Sequence, residues 1–308
     1  MFSVIFPGQG SQSVGMGRNL YDKYDFVKDL FKRADEILGY SISKIILEGP
    51  KEKLDLTENT QPAIFLVSYS IYETIKRETK ANLENAKYFA GHSLGEYSAL
   101  SSAGYLGFSD TIKLLKTRGE CMQNAVPKGE GGMLAVLGST IEIIEKILND
   151  NKDTFMAEIA NDNSEGQIVL SGKNSELEKL IGYLKENKIK NIKLPVSAPF
   201  HCSLMKNATE IMRNEIKNID FKDGKNILIS NVTAKEILNK EELKEQLINQ
   251  IESRVRWRES VIYMINEGIN KFIEIGPGKV LSGLVKRIDK ELKIHTINNE
   301  NDIKDLDI

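Results

Sequence analysis

A serine flanked by glycines carries the clearest chemical signal in the chain. Residues 91–95 read Gly-His-Ser-Leu-Gly, the G-x-S-x-G pattern of a nucleophile elbow. In an elbow the glycines let two backbones pass closely while the serine occupies the apex of the turn. A short apolar run at 86–90 predicts the strand before this turn, and apolar residues at helical spacing from Leu94 predict the helix after it. Ser93 is therefore the candidate nucleophile, and the alternative is a glycine-bounded turn with an incidental serine.

A serine hydroxyl attacks only when a base takes its proton, and the histidine pKa suits that role at neutral pH. The chain has three histidines. His92 neighbours Ser93 and so points elsewhere, and His295 falls in a strand-like stretch. His201 follows a loop and precedes a predicted helix, where side chains tend to face a cleft. His201 is therefore the candidate base, and the alternative is a structural histidine.

Two backbone segments could bind an anion close to the serine. The helix that begins at Leu94 presents its amide and its dipole to an oxyanion formed on Ser93. The loop Pro-Gly-Gln-Gly-Ser-Gln at 7–12 follows a predicted strand at 3–6 and exposes further amides. A plain glycine turn explains this loop equally well.

One arginine is predicted to point into the protein. Ser109-Asp110 is typical of a helix cap, and in the helix that follows Arg118 falls between Leu114 and Leu115 on the apolar side. A buried guanidinium needs an anion, because leaving it unpaired costs about 3 kcal/mol or more. A structural Asp or Glu and a carboxylate on the substrate both fit at this point.

The composition restricts the class of protein. The 308 residues are 41% hydrophobic and 28% charged, as in a soluble globular protein. A net charge of −2 gives no overall attraction to nucleic acid or to a membrane surface, so we expect neither as a partner. Cys121 and Cys202 are too few for a disulfide framework, and no paired metal-ligand spacing is present, so we expect a reducing compartment and no metal. The first residues lack the pattern of a signal peptide, which favours a cytoplasmic location.

The pattern of strands and helices predicts an α/β fold in two parts. Strands at 3–6, 86–90, 227–232 and 272–275 alternate with helices, which is typical of a largely parallel sheet covered on both faces. We predict that residues 1–125 and 197–308 form this larger, α/β-hydrolase-like domain. Residues 126–196 have the order βαββαβ, which predicts an inserted ferredoxin-like subdomain. The predicted elements of the insert are strands at 133–137, 155–160, 167–171 and 189–196 and helices at 141–148 and 177–184.

Two helices are also predicted ahead of the elbow. Apolar residues at helical spacing predict one helix over 20–38. A second is predicted to begin with Thr60 as its N-cap and Pro62 in its first turn.

Several motifs, in order along almost the whole chain, resemble the malonyl-CoA:acyl carrier protein transacylases, a family of acyltransferases. They are FPGQGSQ at 6–12, GHSLGEYSAL at 91–100, Arg118 with Met122, Ala160-Asn161, PVSAPFH at 195–201, Gln250 ahead of VRW at 255–257, and EIGPG at 274–278. The resemblance implies a Ser-His dyad in which Ser93 is acylated and His201 is the base.

The resemblance also assigns the groups around this dyad. It implies that the backbone amides of Gln9 and Leu94 form the oxyanion hole. It implies further that the main-chain carbonyl of Gln250 orients the His201 ring, so that no acidic third member is required.

For the acyl group, the resemblance implies that Arg118 holds the malonyl carboxylate. This agrees with the inward arginine inferred from the helix pattern, since an uncharged acyl group would leave the guanidinium unpaired. Met122, Asn161 and Phe200 are expected beside the substrate. Phe200 resembles the residue that selects malonyl over branched acyl groups in related domains, and the alternative is a packing aromatic.

The implied reaction is ping-pong transfer of malonyl from malonyl-CoA to the phosphopantetheine thiol of acyl carrier protein, supplying fatty acid synthesis. It needs no metal or redox cofactor. We expect a monomer with an acidic carrier protein as partner and a basic docking patch. The candidate patch consists of Arg254, Arg256, Arg258, Lys286 and Arg287, and the alternative is that these are solvated surface charges.

Three other functions stay open at this level. An α/β-hydrolase or thioesterase orders its triad Ser, acid, His, and Asp162 or Glu165 could supply the acid. A patatin-like Ser-Asp lipase could use Asp223. A non-catalytic subunit that binds carrier protein or acyl-CoA would have no use for a nucleophile and base.

Overall fold

The computed structural model describes residues 1–196, 198–304 and 306, and the motif residue Ser197 lies outside them. Within the described residues the strands are β1 (Phe2–Phe6), β2 (Tyr88–Gly91), β3 (Gly131–Leu137), β4 (Glu158–Ser164), β5 (Gln167–Lys173), β6 (Lys190–Lys193), β7 (Ile227–Leu228), β8 (Lys271–Ile275) and β9 (Lys293–Ile297). The helices are α1 (Arg18–Lys23), α2 (Asp25–Leu38), α3 (Ile42–Glu48), α4 (Lys51–Leu54), α5 (Thr57–Glu78), α6 (Leu94–Ser102), α7 (Phe108–Gln123), α8 (Ile141–Asp150), α9 (Asn174–Glu186), α10 (Lys206–Lys217), α11 (Lys240–Asn249), α12 (Trp257–Asn266), α13 (Val280–Ile288) and α14 (Glu300–Lys304).

A five-stranded parallel sheet in the order β7-β2-β1-β8-β9 forms the centre of the larger part. Successive side chains of a strand point to opposite faces, and β1 shows both faces buried. Val4 and Phe6 join the core cluster that contains Phe65 of α5, whereas Ile5 joins the cluster that contains Trp257 of α12. The predicted parallel sheet with helices on both sides is therefore confirmed.

A separate four-stranded antiparallel sheet has the order β4-β5-β3-β6. Its elements follow one another as strand, helix, strand, strand, helix, strand over residues 131–193. Apolar residues of α8 and α9, among them Ile144 and Leu180, pack on one face of this sheet and give it its own core.

Strand β4 joins the small sheet to the larger part of the protein. Asn161 forms a parallel bridge with Val255, and the Asp162 N–H donates to the Val255 carbonyl over 3.0 Å. Arg258 holds the buried Asp162 carboxylate, with its Nε 3.0 Å from each carboxylate oxygen. These contacts fix the face of the small sheet that borders the cavity described below.

The structure corrects the predicted helix ends. The helix predicted over 20–38 is two helices, because Tyr24 has an extended backbone between α1 and α2. Helix α5 begins at Thr57, and Thr60 is not its cap: the Thr60 hydroxyl donates to the carbonyls of Leu54 and Leu56. Pro62 lies inside α5 and removes one helical hydrogen bond, a loss offset by burial of the helix on most of its surface.

Three further boundaries differ from the prediction. Helix α7 begins at Phe108 with Gly107 as its N-cap, two residues ahead of the predicted cap. Strand β4 lies three or four residues later than predicted. Of the strand predicted over 227–232, the described structure pairs Ile227 and Leu228 with β2, and Ile229 forms an isolated bridge with Glu236. In the described part of the chain, no helix has both the length and the apolar character needed to cross a bilayer.

Candidate active site

Ser93 lies at the apex of a tight turn between β2 and α6, so the expected strand, turn and helix are present. A Cβ on Gly91 would lie 1.9 Å from the carbonyl carbon of Gly95, and a Cβ on Gly95 would lie 2.2 Å from the carbonyl oxygen of Phe6. No side chain fits in either place. The serine itself has φ 54° and ψ −113°, a strained conformation for a residue with a Cβ.

His201 lies beside the serine and is held from its other side. Its Nε2 is 2.8 Å from Ser93 Oγ, and its Nδ1 is 2.8 Å from the main-chain carbonyl oxygen of Gln250. Because a carbonyl only accepts, Nδ1 carries the proton and Nε2 is free to accept one from the serine. Burial, together with the charge of Arg118, lowers the pKa of His201 to about 3. The arrangement suits a neutral imidazole that acts as a base.

The other two histidines have different partners, although His92 lines the same cavity as this pair. The Nε2 of His92 is 2.8 Å from Oδ1 of Asn163 on β4, so the ring points from the elbow into the small sheet. Burial lowers the pKa of His92. His295 lies on β9, at the edge of the parallel sheet.

Arg118 points inward from α7, as its place on the helix predicted, and its side chain is 1% exposed. Its NH1 donates to Gln61 Oε1 over 2.8 Å, and its NH2 donates to Gln250 Oε1 over 2.9 Å and to Ser93 Oγ over 3.1 Å. All three acceptors are neutral, and among the described residues no carboxylate forms an ion pair with this guanidinium. A direct ion pair with a structural Asp or Glu, one of the two partners that the sequence left open, is therefore not present among the described residues.

A cavity of about 110 Å³ opens beside Ser93 and is large enough for a small acyl group or several waters. Every residue expected to bind or activate the acyl group lines it, except Gln250, which is wholly buried behind it. The lining includes Gln9, Ser93, Leu94, Arg118, Met122, Asn161, Phe200 and His201. The main-chain N–H groups of Gln9 and Leu94 donate to no described residue, so both donors are available to an oxyanion.

Three polar residues in this site were not singled out from the sequence. Gln61 reaches Arg118 from α5, and Asn231 accepts from the Ser93 N–H over 2.7 Å while donating to the Gly91 carbonyl over 2.7 Å. Glu96, 1% exposed, follows Ser93 by three residues and so faces the same side of α6. The spacing of Glu96 from the serine is a signal in the sequence that could have identified it. Gln61 and Asn231 offer no such signal, because they arrive from distant elements.

None of the carboxylates considered for a triad or a Ser-Asp pair contacts His201 in the described structure. Asp162 is bound by Arg258, and Glu165 lies exposed in the turn between β4 and β5. The side chain of Asp223 is 90% exposed and pairs with Lys240. The Nδ1 position that a triad acid would occupy is taken by the Gln250 carbonyl.

The five cations of the candidate docking patch all have partners within the chain. Arg254 pairs with Glu145, Arg256 with Glu259, and Arg258 with Asp162. Arg287 donates to the side chain of Gln167, and Lys286 donates to main-chain carbonyls. An acidic partner would therefore have to compete with these contacts.

Comparison with known proteins identifies the family. Residues 3–303 match the family model described as acyl transferase domain. The chain is 43% identical over 304 residues to a malonyl CoA-acyl carrier protein transacylase of Bacillus subtilis (strain 168), covering 98% of this chain and 95% of that protein. A protein of the same name from Haemophilus influenzae is 40% identical over 299 residues, covering 97% and 95%.

Solved structures agree with the sequence comparison. The crystal structure of an acyl-carrier-protein-S-malonyltransferase from Bartonella henselae matches with a TM-score of 0.95 at 38% identity, covering 99% of this chain and 97% of that one. A type II PKS acyl-carrier protein in complex with its malonyl-transacylase matches with a TM-score of 0.94 at 34% identity, covering 98% and 97%. This chain is therefore an enzyme of the acyl transferase family and a relative of the malonyl CoA-acyl carrier protein transacylases.

Proposed function

We propose that the protein transfers a malonyl group from malonyl-CoA to the phosphopantetheine thiol of an acyl carrier protein through a malonyl-serine intermediate. The observation that carries this proposal is the Arg118 guanidinium, which is buried, lines the same cavity as Ser93 and has only neutral partners among the described residues. A malonyl group brings a free carboxylate to such a cation, whereas an acetyl group does not.

In the first half-reaction, Ser93 Oγ attacks the thioester carbonyl as His201 Nε2 takes the serine proton. The Gln250 carbonyl stabilises the imidazolium that forms, and the N–H groups of Gln9 and Leu94 bind the oxyanion of the tetrahedral intermediate. The carbon–sulfur bond then breaks, and His201 returns its proton to the coenzyme A thiolate. The malonyl ester remains on Ser93.

In the second half-reaction, the pantetheine thiol loses its proton to His201 and attacks the malonyl ester. The carbon–oxygen bond to Ser93 breaks, His201 protonates the serine, and malonyl leaves on the carrier protein. Atoms and electrons balance in this exchange without an oxidant, a reductant or a Lewis acid, so we propose that it uses no cofactor.

Selection of the acyl group follows from the same cavity. Arg118 would pair with the malonyl carboxylate, while Met122, Asn161 and Phe200 line the space around the rest of the group. We propose that Phe200, 7% exposed, limits substituents on the central malonyl carbon by its bulk.

The small sheet is part of the proposal. We assign residues 126–196 to a ferredoxin-like subdomain, supported by the βαββαβ order and by the strand order β4-β5-β3-β6. Asn161 of β4 and Met133 of β3 line the acyl cavity, so the subdomain would close the site from one side. A monomeric state, a cytoplasmic location and a role in fatty acid synthesis stay predictions.

The first test is the intact-protein mass after brief incubation with malonyl-CoA, run beside acetyl-CoA and a Ser93→Ala variant. We expect a malonyl adduct on the wild-type protein alone, discharged faster by a pantetheine thiol than by water. Release of free malonate without an adduct would point to a hydrolase. No reaction at all would point to a binding subunit.

A further inference from the structure

Gln250 contacts three parts of the site at once. Its main-chain carbonyl accepts from His201, its Oε1 accepts from Arg118 NH2, and its Nε2 donates to the Ser93 carbonyl oxygen over 3.0 Å. The same Nε2 donates to Glu96 Oε2 over 2.9 Å. The backbone of Gln250 therefore serves the base, while its side chain lies between Arg118 and Glu96.

The partners of the Gln250 amide determine which way it points. Glu96 Oε2 and the Ser93 carbonyl oxygen only accept hydrogen bonds, so they require the NH2 end of the amide. Arg118 only donates, so it requires the carbonyl end. In the reversed orientation the amide would place its NH2 group against the guanidinium and its oxygen against the carboxylate, losing all of these bonds. Glu96 thus helps to keep Oε1 directed at Arg118.

Arg118 and Glu96 are also buried groups of opposite sign, and Glu96 carries its negative charge above its pKa. Each is 1% exposed, and among the described residues neither forms a direct ion pair. The Gln250 amide lies between them with its oxygen toward the cation and its NH2 group toward the anion, so its dipole favours both charges. Burial raises the pKa of Glu96 to about 7, while hydrogen bonds from Asn231 and Gln250 and the charge of Arg118 oppose that rise.

We propose that Glu96 is a positioning residue for Arg118: acting through the Gln250 side chain, it balances the buried guanidinium and keeps it aimed at the acyl cavity. This inference rests on the proposed function, because the role of the guanidinium there is to bind the malonyl carboxylate. Glu96 touches neither the cavity nor His201, so its effect should be confined to carboxylated acyl groups.

The competing explanation is a purely structural one. Glu96 Oε2 also accepts from the Asn231 N–H over 3.0 Å, and Asn231 holds the elbow through Ser93 and Gly91. A structural role would impair the nucleophile itself, so malonyl and acetyl transfer to Ser93 would fall together. A positioning role would impair malonyl transfer alone.

The test is a double-mutant cycle of Glu96→Gln and Gln250→Met, measured as rates of Ser93 acylation by malonyl-CoA and acetyl-CoA in single turnovers. Gln250→Met removes the amide but keeps the carbonyl that holds His201. We expect each single variant to raise the half-saturating malonyl-CoA concentration about tenfold, the size of one hydrogen bond to a charged group. In Glu96→Gln acetylation should change by less than about twofold, whereas Gln250→Met also removes the hydrogen bond to the Ser93 carbonyl oxygen and should slow acetylation as well. The double variant should resemble Gln250→Met, because Glu96 acts on Arg118 only through the amide that Gln250→Met removes.

Glu274→Gln is the matched control. Glu274 is another buried carboxylate, but it accepts from Leu281 and Ser282 at the start of α13, and in the described structure it forms no hydrogen bond with a residue of the acyl cavity. We expect it to lower the melting temperature and leave both acylation rates unchanged.

Equal losses of malonyl and acetyl transfer, or unchanged kinetics in Glu96→Gln, would overturn the inference. So would losses that multiply in the double variant. If Glu96→Gln does not fold, Glu96→Asp, which keeps the carboxylate but shortens its reach to the Gln250 amide, decides by the same malonyl-to-acetyl comparison. Failure of the wild-type protein to form a malonyl adduct is a separate result, which would overturn the proposed function and this inference with it.

Discussion

Ser93 and His201 are joined by a 2.8 Å hydrogen bond, and both have a backbone φ in the left-handed region, 54° for the serine and 58° for the histidine. Residues with a Cβ rarely adopt this conformation, which costs about 1–3 kcal/mol at each position. The serine adopts it in a turn so tight that neither Gly91 nor Gly95 leaves room for a Cβ. Strain of this kind is stored where geometry serves function rather than stability.

Relief of the strain at Ser93 should be measurable. Ser93→Gly and Ser93→Ala both remove the hydroxyl, but only glycine adopts φ 54° without strain. We expect the glycine variant to be more stable than the alanine variant by about 1 kcal/mol, after the entropic cost of glycine is subtracted. Urea denaturation of the two proteins measures the difference. An alanine variant of equal or greater stability would contradict the strain argument.

Arg118→Ala should separate malonyl from acetyl transfer. Loss of a charge-assisted, two-point contact to the malonyl carboxylate should reduce kcat/KM for malonyl-CoA about a hundredfold or more, with no comparable loss for acetyl-CoA. Steady-state transfer to a carrier protein or to free pantetheine gives both values. Arg213→Ala, which changes a surface arginine paired with Glu210, is the control and should leave both unchanged. Equal losses for the two substrates would make Arg118 a structural residue.

The imidazole of His201 should stay neutral in mildly acidic solution. Burial first, and the charge of Arg118 second, lower its pKa from 6.5 to about 3. Nitrogen-15 NMR of labelled histidine should show the Nδ1–H tautomer down to about pH 5, since Nδ1 donates to the Gln250 carbonyl. In Arg118→Ala the pKa should rise but stay below 6.5, because burial remains. An imidazolium at about pH 6 in the wild-type protein would be the contrary result.

The same pKa has a consequence for stability. The folded protein binds a proton at His201 less readily than the unfolded chain does. The contribution of His201 to the free energy of unfolding is therefore complete above the unfolded pKa of about 6.5, and it is lost as the pH falls from there toward 3.

Asp162→Asn should separate structure from catalysis. This carboxylate is bound by Arg258 and not by His201, so acylation of Ser93 should stay within about threefold of the wild-type rate, whereas loss of a triad acid costs about ten-thousandfold. Stability should fall by about 1–3 kcal/mol, since Arg258 is partly exposed and solvent screens the pair. Adduct formation and urea denaturation of the same sample measure both. Near-complete loss of acylation in a folded variant would restore Asp162 as a catalytic acid.

The order of the elements was predictable from the sequence, but several of their ends were not. Short continuous apolar runs identified the parallel strands β1, β2 and β8, which are buried on both faces, and helical periodicity identified helices that cover them. Thr60 is not the cap that its place ahead of Pro62 predicts, because α5 is buried on most sides and begins three residues earlier, at Thr57. Helices α3 and α4 are short and have too few turns for a period to show.

The sequence by itself determined the local chemistry: a serine between two glycines that only a strand-turn-helix elbow accommodates, and an arginine on the buried side of α7. Tertiary structure alone decided what these groups meet. Ser93 and His201 are 108 residues apart and Glu96 and Gln250 are 154 apart, so packing of distant elements brings them together. Nor does any spacing in the sequence predict the neutral partners of Arg118. A helical period shows that a side chain points inward, but not which side chains from other elements surround it.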